Sequence, residues 1–216
     1  MSIPVLIIPV LNRYDLLDQT LKSIDHPIDN IVIINNGKNK FYSTGIKNVQ
    51  IFDMPSNQGI AGSWNLGIKF YPHSDYWLFG SADTKYLPGS LKKFEEFSGP
   101  DYFINSTAAY SSFSLGKNIV EKVGLFDEYI YPAYFEDNDY NDRMILAGFE
   151  KNILSPGIEV DDNGGSQTIK SDEVLMKKNH KTFESNKIYY LNKFNTKDYT
   201  CLGWDLKKRK ENEWLD

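Results

Sequence analysis

Short, almost uninterrupted apolar segments recur along the first half of the chain, and each ends in residues that favour turns. The segments are residues 3–10, 30–34, 49–52 and 76–79. They are too short for typical buried helices, and several are rich in isoleucine and valine, as expected for strands covered on both faces. The pattern therefore predicts a sheet buried between two layers of the molecule.

Helical segments are predicted between these strands. Residues 14–24 place their leucines on one side of a helix, and residues 60–71 and 88–97 are also predicted to be helical. Strands that alternate with helices form βαβ units and a mainly parallel sheet, whose ligands bind at the carboxyl ends of the strands. Polar residues follow three of the predicted strands, at positions 12–13, 35–36 and 81–83.

The second half of the chain has a different pattern. Residues 102–114 are rich in serine, threonine, tyrosine and phenylalanine, which is typical of strands in an antiparallel or mixed region. Residues 124–134 form a predicted aromatic loop, and residues 137–148 a helix that Gly148 ends. From Ser171 onward, the Lys-, Glu- and Asn-rich sequence is predicted to be largely helical.

Composition argues against several classes of protein. A net charge of −5 and a pI of about 5.3 make a nucleic acid an unfavourable partner. The single cysteine, Cys201, excludes an internal disulfide and a cysteine-based zinc site. No apolar run approaches the roughly 20 residues that span a bilayer. The first residues lack the basic region of a signal peptide, so we expect a cytoplasmic location.

Four acids lie within seven residues, directly after an aromatic run. They are Glu136, Asp137, Asp139 and Asp142. Carboxylates this dense repel one another and are tolerated where solvent, a cation or a reaction needs them. They also suit the positive end of a helix dipole, with Asp139 paired to Arg143 one turn later. Both interpretations remain open at this point.

Five motifs stand in a fixed order along the chain: IIPVLNR, IVIINNG, NQGIAGSWNLGI, YWLFGSADT and GLFDEYIYPAYFEDNDYNDRMILAGF. Together they resemble the family 2 glycosyltransferases with the GT-A fold, over about residues 3–166. The resemblance implies one α/β, Rossmann-like domain with a mainly parallel central sheet flanked by helices, plus a helical C-terminal appendage. The implied boundaries are 1–166 for the domain, divided into a nucleotide-sugar-binding half (1–100) and an acceptor-binding half (101–166), and 167–216 for the extension.

The resemblance also implies a donor site at the ends of the strands. The donor-binding positions would be Pro9, Asn12, Arg13, Asn35, Asn57, Gly62, Asn65, Ser81 and Asp83. Asp83 aligns with the last acid of the family's DxD motif, so it is expected to hold Mn²⁺ or Mg²⁺, both of which prefer oxygen ligands. A helix cap is the alternative role for Asp83.

Three positions depart from the family pattern. Ser81 replaces the first acid of DxD and keeps only a hydroxyl for hydrogen bonding. Asp162 stands where the family often has a metal-binding histidine, and it is expected to serve as an oxygen ligand or to form an ordinary turn. Asn35 replaces an aspartate that often accepts a hydrogen bond from the nucleobase. A UDP-sugar is still the favoured donor, although uracil is less secure than in the family.

The acceptor hydroxyl must lose a proton as it attacks the anomeric carbon, and one carboxylate can accept that proton. The resemblance places this general base at Asp137, with Glu136 as the second candidate, and implies transfer with inversion to a glycan or another hydroxyl acceptor. Tyr134 and Phe135 are predicted to form an aromatic platform for the acceptor, with core packing as the alternative for both.

A second hypothesis is a catalytically weak relative that binds nucleotide or glycan without turnover, which the broken DxD motif motivates. The extension 167–216 lies outside the resemblance. It is predicted to be a helical appendage packed on the domain, or alternatively to cover the acceptor side, to mediate self-association into a homo-oligomer, or to contact an anionic membrane surface. The membrane contact would use the basic cluster 207–210.

Overall fold

A computed structural model of the chain describes residues 2–42 and 45–196. Its main sheet has seven strands in the spatial order β3-β2-β1-β4-β7-β6-β8. The strands of this sheet are β1 (Ile3–Val10), β2 (Ile28–Asn35), β3 (Val49–Asp53), β4 (Tyr76–Gly80), β6 (Phe103–Ser106), β7 (Ala109–Gly116) and β8 (Ile153–Ile158). Two short strands, β5 (Lys85–Tyr86) and β9 (Val160–Asp161), form a separate antiparallel pair.

The helices among the described residues cover both faces of this sheet and extend beyond it. They are α1 (Tyr14–Lys22), α2 (Gly59–Phe70), α3 (Ser90–Phe97), α4 (Lys117–Val123), α5 (Glu136–Leu146), α6 (Gln167–Lys170) and α7 (Glu173–Thr196), with a short 3-10 turn at Glu150–Asn152. The α/β class, the mainly parallel sheet and the C-terminal helix agree with the sequence prediction. The basic cluster 207–210 and Cys201 lie outside the described residues.

The strand pattern follows from burial. Every β1 side chain from Val5 to Val10 is buried, because helices cover the strand on both faces. Leu17 of α1 and Phe94 of α3 pack in the core layer on one face, and Trp64 of α2 and Tyr140 of α5 pack in the layer on the other. Trp77 in β4 is buried as well, so Trp64 and Trp77 are both core residues.

The sheet is parallel around β1 and mixed beyond β4. β1 pairs in parallel with β2 and with β4, whereas β7 pairs antiparallel with β4 and with β6. The predicted antiparallel or mixed region at 102–114 is therefore confirmed. The carboxyl ends of β1, β2 and β4 meet at one edge, which is where the polar residues that follow these strands are placed.

Several elements have no clear signal in the sequence. The apolar pattern predicts neither α4 nor β8, and nothing in it indicates that β9 pairs with β5. Strands of two residues carry too little periodicity to be detected in a sequence. In β8, Pro156 and Gly157 interrupt the apolar pattern that marks the other strands.

Candidate active site

The loop after β1 is shaped by one left-handed residue and one ion pair. Asn12 has φ 62°, and its side-chain oxygen accepts a hydrogen bond from the backbone N–H of Lys38. Arg13 donates two hydrogen bonds to the carboxylate of Asp15, at 2.8 and 2.7 Å. Its remaining terminal nitrogen, Nη1, lies 3.5 Å from the carbonyl oxygen of Gln167. Arg13 thus faces the segment that follows β9.

The loop after β4 is fixed from two sides. The backbone N–H of Ser81 donates to the carbonyl of Ser111 in β7 at 2.8 Å, and Thr20 of α1 donates its hydroxyl to the carbonyl of Ala82, also at 2.8 Å. The backbone N–H of Thr84 closes a turn onto the carbonyl of Ser81. This double attachment holds Asp83 at the end of the strand, where its side chain is almost fully buried.

The β5–β9 pair brings the segment 162–167 against Asp83. Lys85 pairs with Asp161, which places Asp162 and Asn163 beside the loop after β4. Asn163 donates its side-chain amide to the carbonyl of Asp83 at 2.7 Å. The backbone N–H of Gln167 donates to Oδ2 of Asp83 at 3.0 Å. Asp83 therefore lies under the segment that contains the second predicted metal ligand.

Asp83 and Asp162 are close enough to affect each other electrostatically. Burial raises the pKa of Asp83, and the negative charge of Asp162 raises it further, against hydrogen bonds from backbone N–H groups and the nearby charge of Arg13. Two carboxylates in this relationship favour a cation between them. No cluster of three or more His, Cys, Asp or Glu side chains suited to a metal occurs among residues 2–42 and 45–196. The pair fits a cation whose other ligands come from phosphate and water.

Asn35 at the end of β2 is engaged on all sides. Its Oδ1 accepts from the Tyr14 hydroxyl at 2.9 Å and from the Gly37 N–H at 3.1 Å. Its Nδ2 donates to the carbonyl of Asn39 at 2.9 Å and to the carboxylate of Asp53 at 2.7 Å. The side chain is 1% exposed. Asn35 thus lies beneath the predicted nucleobase site. Both hydrogens of its side-chain amide are already bonded within the protein, so it has no free donor for a ligand.

The glycine-rich turn before α2 contacts the loop before α5. Gly59 has φ 69°, and a β-carbon there would lie 2.9 Å from the carbonyl oxygen of Pro132, so only glycine fits. The next backbone N–H, from Ile60, donates to the same carbonyl at 2.8 Å. Tyr131 donates its hydroxyl to the carbonyl of Asn57 at 3.0 Å. These contacts join the predicted donor and acceptor halves.

The remaining predicted donor residues differ in their surroundings. Pro9 is buried within β1, and Gly62 lies in the first turn of α2. Asn65 is 0% exposed, and its amide donates to the carbonyl of Phe126 and the carboxylate of Glu128 while accepting from the N–H of Phe126. Asn65 therefore fastens α2 to the loop that follows α4, and its polar atoms do not reach solvent.

Two consecutive left-handed residues introduce α5. Tyr134 has φ 74° and Phe135 has φ 77°, which is costly for aromatic residues and persists only where contacts enforce it. The next side chain, Glu136, is 7% exposed, and its Oε2 has no hydrogen-bond partner in the part of the chain that the structure describes. Burial, aided by the charge of Asp137, raises the pKa of Glu136 to about 8. Burial therefore favours the protonated form of Glu136 at neutral pH.

Asp137 has a different environment from its neighbour. Its carboxylate accepts the backbone N–H of Asn138 at 2.8 Å and retains partial exposure. Burial raises its pKa, while hydrogen bonds from backbone N–H groups oppose the shift. The buried hydroxyl of Tyr110 in β7 also has no hydrogen-bond partner among the described residues, and the charge of Asp137 acts on it. The Tyr110 hydroxyl thus lies near the carboxyl of Asp137 at the start of α5.

The donor and acceptor sides meet at two consecutive residues. Ser166 and Tyr134 share a 2.8 Å hydrogen bond between their hydroxyls. The next residue, Gln167, is the one that donates to Asp83. The segment 162–167 therefore contacts the predicted metal ligand and the entrance to α5 at once. Sequence reasoning missed Gln167, and only the undetected β5–β9 pairing would have placed it here.

The predicted pair of Asp139 with Arg143 is confirmed. The Nε of Arg143 donates to Oδ2 of Asp139 at 2.8 Å, and both side chains are buried. Tyr134 and Phe135 pack against Phe183 of α7, with ring centroids 5.4 and 5.0 Å apart. Each keeps partial exposure, so their rings are covered on one side by the C-terminal helix.

Comparison with known proteins agrees with this geometry. A mainly parallel sheet with acids at the ends of its strands and at the start of a later helix defines the class of GT-A glycosyltransferase folds. The family model described as "Glycosyl transferase family 2" matches residues 5–143. The chain belongs to this family. Over 47 residues it is 45% identical to a galactofuranosyl glycosyltransferase of Leishmania donovani, covering 22% of this chain and 11% of that protein.

Solved structures show the same fold at low sequence identity. The mannosyltransferase PcManGT of Pyrobaculum calidifontis superposes with a TM-score of 0.55 at 11% identity, over 71% of this chain and 54% of that one. TarS of S. aureus gives 0.57 at 12%, over 74% and 36%. The Drosophila β1,4-galactosyltransferase 7 catalytic domain gives 0.52 at 15%, over 72% and 65%. The chain thus spans less than two thirds of each relative.

Within the described part of this chain, none of the helices has the length and apolar character to cross a membrane.

Proposed function

We propose that this protein transfers a sugar from a nucleoside diphosphate sugar to an acceptor hydroxyl, with inversion at the anomeric carbon. The observation that carries the proposal is the contact of one short segment with both halves of the site. Ser166 binds Tyr134, two residues before the acid pair of α5, and Gln167 binds Asp83. A donor phosphate at Asp83 and a base at the start of α5 would then serve one reaction centre.

The donor side of the proposed site lies at the carboxyl ends of β1, β2 and β4. Arg13 is partly exposed there and presents a guanidinium, which suits a diphosphate. The loop residues Asn12 and Ser81 retain exposed or partly exposed surface, whereas the buried Asn35 and Asn65 support the walls of the site. We therefore assign direct donor contacts to Arg13, Asn12 and Ser81. The two buried asparagines, Asn35 and Asn65, shape the site.

A divalent cation completes the proposed donor side. Asp83 and Asp162 would hold Mn²⁺ or Mg²⁺ through oxygen ligands, and the bound cation would stabilise the charge that develops on the departing diphosphate. Among the structural relatives, PcManGT is described in complex with GDP-Man and Mn²⁺, and TarS in complex with UDP-GlcNAc. These relatives support a nucleotide sugar as ligand. The family resemblance favours UDP as the nucleotide, and the sugar itself is left open.

Asp137 is the proposed general base. A base must be ionised at the working pH, and the deeper burial of Glu136 keeps the proton on that neighbour at neutral pH. Two adjacent carboxyls in unequal environments thus take different roles. Asp137 accepts the proton of the attacking hydroxyl, while the neutral Glu136 supplies a hydrogen-bonding group without a second negative charge. With one base and in-line attack, the anomeric configuration inverts.

The acceptor side is formed by the aromatic entrance to α5. Tyr134 and Phe135 each keep one partly exposed face, which suits the C–H surface of a sugar. Tyr110 lies near Asp137, and its buried hydroxyl has no hydrogen-bond partner among residues 2–42 and 45–196. We propose a glycan or another hydroxyl compound as acceptor, bound between these rings and Asp137.

The proposal is tested with donor hydrolysis, which needs no known acceptor. Release of nucleoside diphosphate is measured over a panel of nucleotide sugars, with Mn²⁺ or with chelator. We expect metal-dependent release with at least one donor, lost in Asp83→Ala and retained in Asp101→Ala, an exposed acid shortly before β6. The alternative is a weak relative that binds without turnover. It predicts calorimetric binding of nucleotide and no release, and absence of both with every donor contradicts the proposal.

A further inference from the structure

The helix α7 lies outside the region that the family model matches. It nevertheless supplies a positive charge to two buried carboxylates, Asp127 and Asp139, next to the start of α5. Asp127 is 0% exposed and Asp139 is 1% exposed, and within residues 5–143 the cation placed on this pair is Arg143, which binds Asp139. Lys193 of α7 supplies the second cation. The four side chains then carry no net charge, which a buried cluster requires if it is not to be strongly destabilising.

The contacts of Lys193 are close and direct. Its ammonium donates a hydrogen bond to Oδ2 of Asp127 at 2.7 Å. The same nitrogen lies 2.5 Å from Oδ1 of Asp139, an ion pair without hydrogen-bond geometry. Tyr189, one turn earlier in α7, donates its hydroxyl to the same Asp127 oxygen at 2.9 Å. The helix is therefore attached to the first turn of α5 by buried charge.

A second anchor acts directly on the entrance to α5. The side-chain amide of Asn186 donates to the carbonyl of Ala133 at 2.9 Å and lies 3.3 Å from the carbonyl of Tyr134. Phe183 packs against the rings of Tyr134 and Phe135. These contacts hold the backbone and the rings of the two left-handed residues, which directly precede Glu136 and Asp137.

We propose that Asn186 and Lys193 of α7 are positioning residues, which fix the entrance to α5 and thereby the placement of the carboxyl pair at its start. The proposal rests on the proposed function for its catalytic consequence, but the geometric claim stands apart from turnover. A strained backbone relaxes when the contacts that enforce it are removed. The carboxyls at 136 and 137 would then move relative to the bound donor, while the donor site at β1 and β4 stays intact.

The test compares Lys193→Met and Asn186→Ala with Lys187→Met, a matched change of an exposed lysine on the same helix. Hydrogen exchange reports on the backbone of residues 133–139 in each variant. We expect faster exchange in this segment for Lys193→Met and Asn186→Ala, with the amides of β1 and β4 unchanged, and no difference for Lys187→Met. Unchanged exchange in both anchor variants overturns the proposal whether or not the protein is active.

Kinetics separate positioning from general loss of structure. A base displaced by about 1 Å is expected to lower kcat for donor hydrolysis on the order of 10²-fold. The dissociation constant for UDP with Mn²⁺ is expected to stay within about twofold of the wild type, because Asp83 and Arg13 are not displaced. A loss of UDP binding in parallel with kcat contradicts a positioning role. If the variants exchange faster but the wild type turns over no donor, the positioning of the α5 entrance by α7 is supported. The proposed function is then refuted instead.

A third experiment tests the charge balance of the buried cluster. The double variant Asp127→Asn with Lys193→Met removes one negative and one positive charge and restores neutrality. We expect it to recover much of the exchange protection and turnover that Lys193→Met alone loses, because the unpaired buried carboxylate is the main source of the defect. Additive losses in the double variant contradict the role assigned to the buried charge.

Discussion

The amide of Asn35 donates a 2.7 Å hydrogen bond to Oδ1 of Asp53 across the ends of two neighbouring parallel strands. This contact explains why an amide stands where the family often has an acid. A carboxylate at position 35 would meet the Asp53 carboxylate without a donor between them. The departure at Asn35 is thus a local exchange of hydrogen-bonding partners at the edge of the sheet.

Asn35→Asp is expected to destabilise the protein by about 1–3 kcal/mol, because a buried donor is replaced by an acceptor that faces another acceptor. The free energy of unfolding in urea at pH 7 measures the effect. Asn35→Asp combined with Asp53→Asn restores a donor and acceptor in reversed order and should recover most of the loss. Equal instability of the single and double variants would show that Asp53 is not the partner that matters.

Asp137→Asn is expected to lower kcat for donor hydrolysis by roughly 10²–10⁴-fold, the usual contribution of a general base. Glu136→Gln should cost less at pH 7, because glutamine resembles the protonated acid already present. Nucleoside diphosphate release gives kcat, and titration with UDP and Mn²⁺ gives the binding constant, which should be unchanged in both. A larger loss in Glu136→Gln than in Asp137→Asn would assign the base to Glu136.

Glu136 also links stability to pH. Its pKa rises from 4.5 to about 8 on folding, so the native state holds a proton that the unfolded chain has lost across this window. Stability from this group is full below about pH 4.5 and is lost as the pH rises through about 8, with a slope of at most about 1.4 kcal/mol per pH unit.

Glu136→Gln removes this dependence. We therefore expect the unfolding free energy of Glu136→Gln relative to wild type to increase steadily between about pH 5 and pH 8 and to level off above. Urea titrations across that range provide the measurement, with Glu121→Gln, an exposed acid of α4, as control. A difference that stays constant with pH would mean that Glu136 ionises normally in the native state.

Two glycines of α2 should respond in opposite directions to alanine. A β-carbon at Gly67 would lie 2.4 Å from Cδ1 of Ile7 in the core of the sheet, so Gly67→Ala is expected to cost about 1–3 kcal/mol through overpacking. At Gly62 the nearest atom is 3.5 Å away, and Gly62→Ala should stabilise the helix by about 0.4–1 kcal/mol. Chemical denaturation compares them. Binding of UDP by Gly62→Ala also tests whether the donor approaches this turn.

The sequence predicted those elements of the fold that have a periodic pattern of apolar and polar residues. The buried strands β1, β2 and β4 and the helices between them have strong periodicity, and the pair Asp139–Arg143 follows from spacing on one helix. The attachment of Asp162 to Asp83 depends on strands of two residues, and the contacts of Lys193 join positions far apart in the chain. No local pattern encodes either of these contacts, so the sequence could propose Asp162 only through resemblance and could assign no role to Lys193.

The outer strand β8 limits how copies of this chain can associate. It contains Pro156, which lacks a backbone N–H, and Gly157 at φ 71°, and its pairing with β6 shifts register between Ile104 and Ser106. A strand interrupted in this way is a poor template for another strand. Edge-to-edge growth of the described sheet is therefore disfavoured on this side, and a symmetric pairing through it would rely on side chains more than on backbone hydrogen bonds.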